Sequence, residues 1–165
     1  MATVDPTNVL FKIAHPDLYA RNPFYLLNLP INVSTKDIRR RREDIEAAFE
    51  AEMEAEEFRH VLPLDEYRMP PTLDAVHDAF DALNDPELRI AYSLFWFWPE
   101  KESGRDSSHN SIPTDIERLS ATWKEKSMLL PSGAEKAKCR HNLAVYYHLM
   151  ALSGEQEQLD IRHWR

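Results

Sequence analysis

Three groups of side chains have the types and spacing to bind or to do chemistry. His15-Pro16-Asp17 sets an imidazole and a carboxylate on either side of a proline, and Pro16 with Asp17 suits a turn. Arg39-Arg40-Arg41-Arg42 is a block of guanidiniums suited to acidic protein surface or to phosphate. Phe95-Trp96-Phe97-Trp98 is a run of aromatics closed by Pro99. Enzyme chemistry finds less support. The seven histidines are dispersed, and there is no His-Glu-x-x-His, no paired cysteines, no glycine-rich phosphate loop and no nucleophile elbow. His141 and His148 stand seven apart, but no acidic residue joins them on that face, so they read as packing or surface residues rather than metal ligands. The glutamates between Glu50 and Glu57 read as a solvated acidic face. No catalytic residue, cofactor or metal is expected.

Composition narrows the partners. A net charge of −8 opposes broad affinity for nucleic acid or anionic lipid, both of which need a surplus of Lys and Arg facing phosphate. Nucleic-acid binding through the arginine block is therefore the least favoured reading, and a protein partner the most favoured. The single cysteine, Cys139, excludes an internal disulfide and reads as a small apolar residue, so a reducing cytoplasm is the expected location. The longest strongly apolar run, Ile90 to Trp98, is too short to span a bilayer, and no membrane insertion is expected.

The elements that must position these groups are helices. Only three glycines and apolar residues at spacings of three and four predict an all-α chain. Asn22-Pro23 is a helix start, and a short helix through Phe24 and Leu29 is stopped by Pro30. Ser34 to Asp37 resembles a capping box that opens a long helix to about Phe58, with Ile38, Ile45, Phe49 and Met53 as its apolar stripe. Its basic first half and acidic second half oppose the helix dipole, which hints that the arginines face a partner. The prolines between Leu62 and Thr72 forbid a continuous helix; beyond them Leu73, Val76, Phe80 and Leu83 repeat at core-facing spacing. Asn84-Asp85-Pro86 breaks that helix, and the next carries Leu88, Ala91, Tyr92 and Phe95. Capping-box patterns at Thr114 and Ser132 start two more helices, and a last short helix is predicted from about Glu155 to Arg165.

Two of these stretches resemble J-domain co-chaperones. Residues Asn22 to Pro30, followed by Ser34 to Arg39, are similar to the opening of that family: a short helix ending in a leucine-rich turn, then a polar cap and a basic second helix. Ala79 to Tyr92 is similar to the end of its third helix and to its fourth, including Leu83, Asp85-Pro86, Arg89 and Tyr92. The resemblance implies a J-like helical hairpin and, for Arg39 to Arg42, electrostatic contact with a heat-shock chaperone. The family's His-Pro-Asp trigger belongs in the loop between the second and third helices. Here that interval holds only the separated His60, Pro63 and Asp65, while His15-Pro16-Asp17 precedes the first helix. The expectation is docking of a heat-shock chaperone without stimulation of ATP hydrolysis, or use of the same fold for another protein partner; an active co-chaperone using a displaced or degenerate trigger is the alternative.

The aromatic run is expected to couple this part to the C-terminal part. Packing against helices that bring Trp123, Tyr146 and Tyr147 is favoured over an exposed patch, although Trp96 and Trp98 are kept with Arg39 to Arg42 as candidate partner-binding residues. Cys139 to His148 resembles the first helix of a tetratricopeptide repeat, and Gly154 would precede the second. An amphipathic helix running to the last residue suggests a piece of a longer protein, or a module completed by another chain. The expected organisation is an N-terminal extension (1–21), a J-like domain (22–99), a linker (100–113) and C-terminal helices (114–165), forming a non-catalytic protein–protein adaptor.

Overall fold

The computed structural model describes residues 6–15, 17–51, 71–99 and 116–163, and these contain helices and turns with no strand. The order is α1 (Pro6–Ile13), α2 (Pro23–Leu26), α3 (Thr35–Glu50), α4 (Leu73–Asn84), α5 (Pro86–Leu94), α6 (Ile116–Leu129) and α7 (Ala134–His163). The all-α class expected from composition is the class observed. Among the described residues no helix is long and apolar enough to cross a membrane.

Local chemistry sets most helix starts. Asn22 caps α2 by accepting from the Phe24 N–H at 3.1 Å, and Ser34 caps α3 by accepting from the Asp37 N–H at 3.2 Å. The Asp37 carboxylate takes the Ser34 hydroxyl at 2.5 Å, so the pair lacks the reciprocal backbone bond of a full capping box. Thr72 caps α4. Asp85 ends α4 and caps α5, accepting from the Glu87 and Leu88 N–H groups at 2.8 and 3.2 Å while Pro86 occupies the first helical position.

Four boundaries depart from expectation. Helix α2 ends before Pro30 is reached. Asn28 takes φ 50°, and bonds from Leu29 N–H to Phe24 O and from Asn28 N–H to Tyr25 O close a Schellman motif. Helix α3 ends at Glu50 with Ala51 as its C-cap, short of Phe58, consistent with acidic residues gathering at the negative end of its dipole; Met53 lies outside the described residues. Helix α7 begins after Gly133, whose carbonyl accepts from Ala137, so Ser132 is not its cap. It then runs through Gly154 without a break. A lone glycine costs about 1 kcal/mol in a helix, and the packing of Leu149 and Leu152 on the core secures the turns just before it. The separate last helix predicted from Glu155, and the turn required for a second tetratricopeptide helix, are therefore not formed.

The core sits where α2, α3, α4 and α5 meet. Phe24, Leu27, Ile45, Val76 and Phe80 are fully buried there. The stripe predicted for α4 is inside at Val76, Phe80 and Leu83, with Leu73 at its exposed end. Residues 6–21, expected as an extension, instead carry α1 and a turn packed on α5 through Val9, Ile13, Leu18 and Ala91. Helices α6 and α7 form an antiparallel hairpin that joins the core through Val145, Leu149 and Leu152. The predicted linker, 100–113, lies outside the described residues.

Candidate protein interface

The arginine block divides into two pairs because α3 is a helix with one face on the core. Arg41 and Arg42 point towards that core. The Arg41 Nε–H donates to the Leu27 carbonyl at 3.0 Å, helping to satisfy the end of α2. Burial pushes the Arg41 guanidinium below its ordinary pKa, opposed by Asp44. Arg42 lies 4.8 Å above the centre of the Phe80 ring and meets Asp81 at 3.4 Å, so it ties α3 to α4. Arg39 and Arg40 are exposed, with exposed Lys36 one turn earlier. Of the four arginines only this outer pair, beside Lys36, stands on the exposed surface. Sequence reasoning treated all four alike because the acceptors of the inner pair belong to other helices.

The His15-Pro16-Asp17 segment opens a turn. His15 Nδ1 meets the Asp17 carboxylate, which also pairs with the Arg21 Nε. Desolvation pushes the Asp17 carboxyl up, but hydrogen bonds from Arg21 and His15 outweigh it and hold the group below its ordinary value. Pro16 lies outside the described residues, as do His60, Pro63 and Asp65 of the degenerate loop.

The aromatic run leaves the helix at Phe95 and crosses to α7 as a strap. Trp96 is 2 % exposed and packs beside Tyr25, with ring centres 5.2 Å apart; it offers no surface to a partner, which corrects its candidacy. Phe97 stacks on Trp123 at 5.6 Å. Trp98 is partly buried, stacks on His141 at 4.2 Å and donates its indole N–H to the Ser93 carbonyl, so its ring is engaged within the fold. Tyr146 and Tyr147 pair with each other instead of receiving the strap, and Tyr147 is exposed.

The residues that anchor the strap were not foreseen as a set. Asn142, 1 % exposed, accepts from the Trp98 N–H at 2.8 Å and donates to the Trp98 carbonyl at 3.0 Å. The His141 Nε2–H donates to the Trp96 carbonyl at 3.0 Å, and burial lowers this imidazole's pKa. Tyr19 donates to the Val145 carbonyl at 3.2 Å and meets His148 Nδ1 at 2.9 Å; burial pushes its phenol up to about 12. Asn22 is fully buried and, besides capping α2, donates to the carbonyls of Tyr92 and Phe95 at 3.1 and 3.3 Å. Its capping role was legible from Asn22-Pro23, whereas the second role depends on acceptors some seventy residues away. Among the described residues no grouping of His, Cys, Asp and Glu could hold a metal ion.

Compared with protein families, with curated proteins and with solved structures, the chain matches none.

Proposed function

We propose that the chain is a non-enzymatic protein–protein adaptor with a J-like core, docking an acidic partner surface through Arg39 and Arg40. The observation that carries this reading is the division of the arginine block: two guanidiniums are used by the fold, and two are displayed on the same helix with no partner of their own among the described residues. The order of α2 to α5 supports the J-like part. So do the contacts of α4 with α2, α3 and α5, and Arg89, which donates to the Val33 carbonyl just before the cap of α3. A heat-shock chaperone is the partner proposed on that resemblance, docked without stimulation.

The test pairs binding with turnover. Capture of a purified cytosolic heat-shock chaperone by the wild-type chain is compared with capture by Arg39→Glu/Arg40→Glu. The expected result is measurable capture with no rise in ATP turnover, weakened in the variant and falling with added salt, as contacts at an interface rim do. Equal capture by both proteins would remove the α3 surface from the interface.

A second reading, an active co-chaperone, is favoured by one observation: Arg21, paired to Asp17, lines the same groove as Thr72 at the head of α4. It requires faster chaperone ATP turnover that is lost in His15→Gln.

A further inference from the structure

Helix α2 has four residues and α4 has twelve, so at 1.5 Å per residue α2 covers only part of the helix it packs against. The uncovered length of α4 borders a groove of about 490 Å³ between α2, α4 and α5. Its floor is Leu26, Ala75, Ala79 and Ala82, with Tyr92 as the far wall. The alanines carry too little side chain to fill the space. His77, Phe80 and Asp81 form the flank of α4 that meets α3, whereas the groove lies on the other flank, away from the α3 arginines.

The charge around this groove is unbalanced. Asp74 and Asp78, one helical turn apart and both exposed, stand on its rim, and neither has an ion-pair partner among the described residues. Arg21 is the only cation among the described lining residues, and its guanidinium is held by Asp17. The Asp17 carboxylate thus offsets the charge of the described cation at the groove. What remains among the described residues is an apolar floor, an aromatic wall and two carboxylates with no ion-pair partner.

We infer that this groove binds a short peptide segment bearing lysine or arginine next to an aliphatic residue, with Asp74 and Asp78 taking the cations and the alanine floor taking the aliphatic side chain. The volume suits a segment of a few residues, and Tyr92 adds an aromatic ring to the lining. The site is separate from the α3 surface and does not rest on it, so one chain has an outward basic surface for an acidic partner and an acidic groove for a basic one.

The probe is a fluorescein-labelled acetyl-Leu-Arg-Ala-Lys-Leu-amide, titrated by anisotropy against the full chain at about 50 mM salt, where exposed charges are only moderately screened. Its counterpart has glutamate in place of arginine and lysine. The basic peptide is expected to bind and the acidic one not. Asp74→Asn/Asp78→Asn should weaken binding about tenfold, two exposed ion pairs being lost. Ala82→Leu should weaken it by filling the floor, and Arg39→Glu/Arg40→Glu should leave it unchanged. Circular dichroism checks that each variant folds; the two aspartates are on the surface, so their replacement keeps the test open if the filled groove does not fold. Absence of binding by the wild-type chain, equal binding of the acidic peptide, or indifference to the aspartate replacements would each overturn the assignment.

Discussion

Around α4 the contacts are apolar side chains at helical spacing, and each helix that enters that region has a cap made by a residue next to it in sequence. Around α7 the contacts are of another kind: the Asn142 amide and the His141 imidazole bond to the strap's backbone, the Tyr19 phenol bonds to the Val145 carbonyl, and rings fill the gaps. The first region tolerates exchange of one aliphatic residue for another, because burial is non-directional. The second is directional, and a buried polar group that loses its partner keeps its desolvation penalty. The helical core around α4 and the C-terminal hairpin therefore share one molecule but fail in different ways.

The largest expected effect breaks the apolar side. Phe80 is fully buried and supports Arg42, so Phe80→Ala should cost about 3–5 kcal/mol by urea denaturation. Phe80→Leu should recover much of that loss; a recovery no better than alanine would mean that the ring's contact with Arg42, rather than its burial, dominates. Next is the seam. Asn142→Ala removes both bonds to Trp98 and should cost about 1–3 kcal/mol. Here an apolar replacement of similar size, Asn142→Leu, should not rescue, and hydrogen exchange should quicken first in α6 and α7. Uniform quickening through α3 and α4 would show that the two regions unfold together.

The smallest effect is a dependence on pH carried by two groups bound to α7 or placed on it. Burial depresses the His141 pKa in the folded chain from its ordinary 6.5, with the Trp96 carbonyl opposing. The unfolded chain then takes up the proton first, so the stability contributed by neutral His141 is complete above pH 6.5 and declines as the pH falls below it. Tyr19 behaves in the opposite sense. Its folded pKa is raised from 10 to about 12, so its contribution is complete below pH 10 and is lost as the pH rises towards 12. Urea midpoints measured from pH 5 to 11 should fall at both ends. His141→Gln should flatten the acid limb and Tyr19→Phe the alkaline one; limbs that survive those replacements would assign the titration to other groups.

Legibility followed the same division. The α4 stripe, the Asn84-Asp85-Pro86 break and the caps at Asn22 and Ser34 were readable because each depends on residues within four positions of one another. The strap's packing was anticipated and Trp123 does receive Phe97, but Tyr146 and Tyr147, expected with it, pair with each other. Aromatic content suggested them, whereas the register of α7 turns Asn142 and Val145 inward instead. For the candidate interface, the arginine block was conspicuous, but its division into structural and displayed pairs was not. The acceptor of Arg41 is a carbonyl at the end of another helix, and backbone acceptors have no sequence signature. The groove was equally hidden, since it arises from the unequal lengths of α2 and α4 and from alanines that taken singly suggest only helix.

By itself the sequence determined the helical class, most of the helix starts and the core-facing stripe of α4, because caps, proline and apolar spacing act over a single turn of chain. The tertiary structure decided which arginines remain outside, where the aromatic strap is anchored, that α7 continues through Gly154, and that Arg21 lines a groove with residues of α4. Those outcomes depend on groups tens of residues apart in the chain being brought within about 3–5 Å, the range over which hydrogen bonds and ring contacts act.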